Sequence, residues 1–488
     1  MEALDTLDRF FAEQMGPSSQ PFYRRLMAHS RKGHLCMRSG EDIVSEKMDV
    51  IRDKNRYYLH RNWVLETTIL QQLQRLLQSA PKEIFERSAF SVPSQLHEKQ
   101  AEAVRRVLTQ SLTVVSGGPG TGKTYTAGQL VQALMMALGS TPLRVKIAAP
   151  TGKAADRLAQ AIVPMERLQV EAMTLHRLLG LQPGRCRLFE ERRIDADLIL
   201  IDEASMIDAS LFAHLLSAVP NGARIVLFGD ADQLPPIDGG GIFADLAEML
   251  SIRLEICHRT QDASVHNIYE AVRKGHVNPL YNLLEPLPQD LIGWIESILG
   301  NLAFSEKPAM ADLIERFDRL RVICPLRKGP LGIDAINRAL LHRLQKRLVP
   351  GQWWAAPILV TNNDASLQLY NGTSGVVLAQ YRGGALVRGF EEAFISDGRS
   401  FPLFQLPGYE IALALSVHKS QGSEFDQVVC CLPQGSEEFA REALYTALTR
   451  AKKKIRLAGD QTTLDAMMNT RSRQENGLRE RMEKITLP

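Results

Sequence analysis

The chain has 488 residues, 45% of them hydrophobic and 23% charged, which gives room for several packed domains of about 100–200 residues each. Such a composition excludes a collagenous, mucin-like or wholly disordered protein. Lys+Arg number 58 against Asp+Glu 55, a net charge of +3, so any nucleic-acid surface must be a local patch. The six cysteines lack metal spacing and read as free thiols in a reducing compartment rather than a zinc or iron–sulfur site. The acidic start MEALDTLDRF lacks the basic-then-apolar order of a secretory signal. No uncharged apolar stretch reaches the roughly 18 residues of a membrane span, so a soluble cytoplasmic protein is expected.

In chain order, residues 1–80 read as a helical domain. Val64, Leu65, Thr68, Ile69, Leu73, Leu76 and Leu77 recur at three- and four-residue steps, which places them on one helix face. Phe10, Phe11, Phe22 and Tyr23 are candidates for a small core, and packing or partner docking is the expected role. Pro81 and Pro93 punctuate a linker over 81–94. Strands and helices then alternate. LTVVSG (112–117), VKIAAP (145–150), DLILIDE (197–203) and ARIVLFGD (223–230) are apolar runs closed by polar residues, the pattern of a buried parallel sheet. They define a first α/β unit over 95–260, with a turn-rich, Arg-containing candidate hairpin at 180–196. RVICPL (321–326), ALALSVHKS (412–420) and QVVCCLP (427–433) define a second unit over 261–361 and 411–470. The Gly-rich stretch 362–410, with pieces such as SGVVLAQY, reads as a β insertion in that second unit, and 471–488 as a C-terminal tail.

Three strand ends carry chemistry. Gly117, Gly118, Pro119, Gly120, Thr121, Gly122, Lys123 and Thr124 form a complete G-x-x-x-x-G-K-T between an apolar strand and a helix. Glycines let backbone N–H groups approach phosphates, and the helix dipole favours the anion. Lys123 is placed to reach the β- and γ-phosphates of ATP, and Thr124 to ligate Mg²⁺. Asp202 and Glu203 end the strand of DLILIDE, where ligands bind in open α/β sheets. Asp202 suits a direct or outer-shell Mg²⁺ role and Glu203 the base that orients the attacking water. Gln233, in GDADQLPP (229–236), suits sensing the γ-phosphate or holding the water, although Asp and Pro also suit that loop to a plain Asx turn.

The P-loop, LILIDEASMID, GDADQLPPI, SVHKSQGSEFD (416–426) and LYTALTRAKK (444–453) occur in this order, with TLHRLLG (174–180) and RYYLHRNWVLE (56–66). Together they resemble superfamily 1 helicases of the RecD family, the alpha chain of bacterial exonuclease V, from about Leu96 to Asp460. The resemblance implies two RecA-like motor domains, an SH3-like insertion and 5′→3′ travel on single-stranded DNA in double-strand break repair and recombination. It implies beta and gamma partner subunits as well. Gln100 matches the glutamine that reads adenine, and Arg259 and Arg450 match the arginines that reach the γ-phosphate, where a planar guanidinium meets spread charge.

Pro150, Thr151, Lys153, Thr174, His176, His418 and Ser420 lie at strand ends and suit sequence-independent contacts to a DNA backbone. Lys452, Lys453 and Lys454 fit an electrostatic footprint or a solvated face, and Asn363, Asp364, Asn371 and Gly372 a family motif or an ordinary pair of turns. Two other readings stay open: an assembly or regulatory subunit with little activity of its own, and an RNA helicase with the same engine.

Overall fold

A computed structural model describes residues 20–40, 50–82, 95–139, 141–181, 193–256, 263–364, 366–387 and 391–483. The linker segment 83–94, most of the hairpin candidate, Phe10, Phe11, Cys186, Cys257 and Arg259 lie outside the described residues.

The first α/β unit is built on a six-stranded sheet in the order Leu168–Thr174, Leu143–Ala149, Leu198–Ile201, Arg224–Gly229, Leu112–Gly117, Ile252–Leu254. Every pairing is parallel. The central strands are apolar on both sides because helices cover both faces. Ile199, Ile201, Ile225 and Leu227 enter one core with the helices Ala209–Ala218 and Ile242–Leu250. Their neighbours Leu198, Leu200, Val226 and Phe228 enter the other, with Glu98–Thr109 and Lys123–Leu138. This period-two division makes register stringent, since a one-residue slip exchanges the two cores. Burial of a side chain such as Phe228 stabilises by about 1.5–3 kcal/mol.

The second unit has a five-stranded parallel sheet in the order Leu284–Glu285, Ala451–Gly459, Phe425–Leu432, Leu320–Cys324, Ala414–Ser416. An antiparallel sheet interrupts it, and the expectation of a β insertion starting at 362 is corrected here. Trp353–Val360, assigned from sequence to the motor domain, pairs antiparallel with Ser374–Gln380 along its length and begins the insertion. Ala303–Phe304 joins its outer edge. The run WWAAPILV misleads because it is apolar throughout, as a central parallel strand would be; its second face is buried by helices Met310–Arg319 and Ile333–Arg347.

The N-terminal region is corrected too. Beside the helices Gln20–Arg31 and His60–Gln78 it carries an antiparallel sheet, with Arg56–Leu59 between Cys36–Arg38 and Val50–Asp53. Three- and four-residue strands are too short to display a period in sequence. Phe22 meets Tyr57 edge-on at 4.7 Å between centroids, in a core with Tyr23, Leu26, Met37 and Val50. The long helix buries Ile69, Leu70, Leu73 and Leu76, and also Asn62 and Glu66, while Leu65 and Leu77 are only partly buried.

Glu66 is satisfied by the C-terminal segment, so 471–483 is a strap rather than a tail. Gly477 N–H donates to Glu66 Oε2 at 2.8 Å and Arg481 pairs with Oε1 at 2.9 Å. A Cβ on Gly477 would lie 2.1 Å from Tyr58 Oη, so only glycine lets the strap come this close. Gln474 bonds Gly241 N and Pro236 O, and Leu478 and Met482 enter the core of the first unit. The strap thereby ties three parts of the chain together. No helix among the described residues is long and apolar enough to cross a membrane.

Candidate functional site

The buried strand Leu112–Gly117 delivers the P-loop, and helix Lys123–Leu138 starts directly after it. Gly120 and Gly122 hold φ of +74° and +84°, the left-handed region that favours glycine. Thr121 Oγ1 donates to Gly118 O at 2.8 Å and closes the loop. A Cβ on Gly117 would sit 2.5 Å from that same hydroxyl oxygen. Lys123 Nζ donates to Gly117 O at 2.5 Å and Gly118 O at 3.0 Å, so its ammonium lies within the loop. Thr124 is partly buried on the first helical turn.

Two strands away in the sheet, Asp202 N–H donates to Ala148 O at 2.9 Å, and Asp202 Oδ1 accepts from Glu203 N–H at 2.9 Å. Burial, and then the charge of Glu203, push the Asp202 carboxyl upward, against the pull of Lys123. Glu203 has φ of +52°, a strained conformation for a non-glycine residue that costs on the order of 1–2 kcal/mol. Burial also raises Asp230, whose carboxylate accepts from Gln233 Nε2 at 3.3 Å. Gln233 is itself buried, and its Oε1 has no hydrogen-bond partner. A buried amide oxygen without a partner is a group that a bound polar ligand would satisfy.

The residues present fit a magnesium nucleotide. The loop offers N–H groups and a cation to phosphates, while Thr124 and Asp202 offer the oxygen donors that Mg²⁺ takes alongside phosphate and water. Among the described residues no three His, Cys, Asp or Glu side chains form a metal cluster.

The second unit reaches across to this place through helix Arg441–Leu448. Tyr445 Oη donates to Asp230 Oδ2 at 3.1 Å, and Thr446 Oγ1 accepts from Leu234 N–H at 2.8 Å. Arg450 is buried. Its guanidinium is held by Thr446 O at 3.0 Å, Ser423 O and Thr449 Oγ1, with no carboxylate partner among the described residues. An arginine held by neutral oxygens keeps its charge available for an incoming anion. Arg157 of the first unit pairs with Glu424 of the second at 2.8 Å. Sequence reasoning missed Tyr445, Thr446 and Arg157. The first two resemble ordinary helix residues, and the only signal was their place five and four residues before Arg450. Gln100 is buried and its Oε1 accepts from His97 N–H at 3.2 Å. A cleft of about 540 Å³ opens at Ser116 and Ser205, between Asp230, Gln233, Arg253, Glu442 and the strap residues Arg473 and Gln474.

The candidate DNA residues separate into two sets. Thr151 and Thr174 cap the helices Gly152–Gln160 and Leu175–Leu178, each accepting from a backbone N–H at 3.4 Å. Pro150 is partly buried beside them, and Lys153 and His176 are exposed. Gly422 of the second unit comes close, since its Cβ would lie 3.4 Å from Thr151 Oγ1. His418 is half-buried, and burial lowers its pKa. Ser420 corrects the sequence expectation: it is fully buried and its hydroxyl donates to Val417 O at 2.7 Å, which takes it off the surface. Asn363 and Asn371 bond each other, Asn371 N–H to Asn363 Oδ1 at 2.8 Å, and shape the turn that presents Tyr370. Lys453 is exposed and paired with Asp426 at 2.7 Å.

An AAA domain model matches residues 95–288, and the UvrD-like helicase C-terminal domain model matches 412–458. The chain is 34% identical to the RecBCD enzyme subunit RecD of Mycolicibacterium smegmatis, over 87% of this chain and 82% of that protein. It is 35% identical to its counterpart of the same name in Mycobacterium tuberculosis, over 88% and 81%. The ATP-dependent RecD2 DNA helicase of Deinococcus radiodurans is 32% identical over 83% of this chain and 55% of its own length. Identity of this degree, over most of both chains, shows that the chain belongs to the RecD family.

Proposed function

We propose that the chain is an ATP-driven DNA helicase, the motor subunit of a RecBCD-type helicase–nuclease acting in double-strand break repair. The observation that carries this reading is the seating of helix Arg441–Leu448 on the loop Asp230–Leu234, beside the P-loop. One site is thereby assembled from two bodies, as a machine that converts nucleotide turnover into relative movement requires. ATP with Mg²⁺, when bound, supplies the phosphoryl transfer that drives the cycle. Lys123 and the loop amides orient the phosphates, Thr124 and Asp202 hold the cation, Glu203 takes the proton of the attacking water, and Gln233 positions that water. Arg450 places a guanidinium against the developing charge, and Arg259 belongs to the same proposal. Thr151, Thr174, Lys153, His176 and His418 grip the backbone of a single strand without reading its sequence. Travel in the 5′→3′ sense and docking to beta and gamma partner subunits complete the reading.

ATPase measured with and without single-stranded DNA, alone and with partner subunits, tests it. DNA-stimulated turnover and unwinding of a 5′-tailed duplex are expected. Turnover stimulated by RNA and not DNA overturns the substrate, and activity found only with partners makes the isolated chain an assembly-dependent subunit.

A further inference from the structure

Tyr445 belongs to the second motor unit, yet its phenol meets two parts of the first. It donates to Asp230 Oδ2 at 3.1 Å, and a Cβ on Gly118 of the P-loop would lie 3.0 Å from its oxygen. The side chain is buried, and burial together with Asp230 raises its pKa well above the ordinary tyrosine value, so it is a donor at any physiological pH. Asp230 Oδ2 is also the atom to which Gln233 Nε2 donates at 3.3 Å. If Gln233 swings its amide toward a nucleotide, Asp230 loses that donor while remaining buried, and stranding a buried carboxylate is costly. Tyr445 keeps it satisfied. Its neighbour Thr446 clamps the far end of the same loop through Leu234 N–H, and the carbonyl of Thr446 holds Arg450 Nε at 3.0 Å.

We propose that Tyr445 is a positioning residue that releases Gln233 for catalysis and ties its movement to Arg450, so that both polar groups reach the nucleotide in one step. The proposal rests on the ATPase reading of the site. It names the coupling between the two motor units as one buried phenol between Asp230 and Gly118. Substrate contact is left to Gln233 and Arg450.

The test uses the full chain with single-stranded DNA. Tyr445→Phe removes one oxygen at constant shape. A hydrogen bond to a buried charge is worth enough that kcat is expected to fall about tenfold, with KM for ATP within about twofold and Tm nearly unchanged. Gly118→Ala drives a methyl against the Tyr445 oxygen and is expected to lower activity. Parental kcat in Tyr445→Phe overturns the proposal. So does a shared fall in Tm, kcat and KM, which marks a merely structural residue. Failure of the ATPase reading would be visible separately, as absent turnover in the parent protein.

Discussion

At the proposed nucleotide end of the cleft, buried Asp230 is bonded to Gln233 and, across the two units, to Tyr445, while buried Arg450 is held by Thr446 O, next along the same helix. At the candidate DNA end, Thr151 and Thr174 do no more than cap their own helices, and Lys153 and His176 stand exposed. Under the proposed function, the difference follows from what each end would bind. Spread charge on a transferring phosphoryl group rewards preorganised dipoles in a dry site. A strand that must slide rewards weak, repeated, sequence-blind contacts that water can replace. Substitutions at the first end should therefore act on kcat and at the second on salt-dependent affinity.

The sharpest break in that contrast would come from Lys123 and Arg450. Lys123→Gln and Arg450→Lys are each expected to lower DNA-stimulated kcat by about 10³-fold, the first because it removes the ammonium at the phosphates, the second because a lysine cannot reproduce the guanidinium fork. Their affinity for single-stranded DNA without nucleotide should stay parental in a fluorescence titration. Full turnover in Lys123→Gln would remove the P-loop from the mechanism.

Asp202 sharpens the contrast through pH. Its folded-state pKa is raised, chiefly by burial, so the folded protein holds this proton more tightly than the unfolded chain does. Below the unfolded value both states are protonated and nothing is lost. As pH rises through the folded value, the buried charge destabilises the fold. Asp202→Asn is thus expected to raise Tm at pH 7, by about 2–4 °C for each kcal/mol relieved, while abolishing turnover. That gain should vanish near pH 3–4, roughly the unfolded pKa of an aspartate, in scanning calorimetry. Equal gains at both pH values would show that something other than the carboxylate charge is responsible.

These contrasts bear on what the sequence could convey. The P-loop and the strand of Asp202 are legible because phosphate chemistry demands fixed spacing between an apolar strand and a helix, and both strands sit in one parallel sheet. Tyr445 is not legible. Its partner Asp230 lies more than two hundred residues away, and no local pattern distinguishes a phenol that crosses a cleft from one in a core. The strap residues Arg473, Gln474 and Arg481 read as a solvated tail, since polar residues that bond buried Asp245 and Glu66 look the same in sequence as those that bond water. Ser420 shows the converse error: a hydroxyl in a motif-like loop that is spent on its own backbone. Spacing is visible where chemistry is local, and hidden where the partner is distant.

At the DNA end the expected effects are smaller. Lys153→Ala should weaken single-strand binding several-fold and reduce the slope of log K against log salt by about 0.7, the share of one phosphate contact. Turnover at saturating DNA should not change. A fall in kcat instead would draw Lys153 into the nucleotide end and blur the division.

Lys453 gives the smallest effect and the finest discrimination. Its side chain is 72% exposed and its ammonium pairs with Asp426 at 2.7 Å, at the start of strand Ala451–Gly459. An exposed pair of this kind contributes about 0–1 kcal/mol, so Lys453→Ala should leave Tm almost unchanged. A lysine already neutralised by a carboxylate releases no counterion when DNA binds, so the salt slope should stay parental as well. If the slope instead falls by about 0.7, as for Lys153, the lysine run touches the strand and the DNA track extends onto the second sheet. The carboxylate of Asp426 would then have to give up its partner on binding, and Asp426→Asn should tighten binding in proportion.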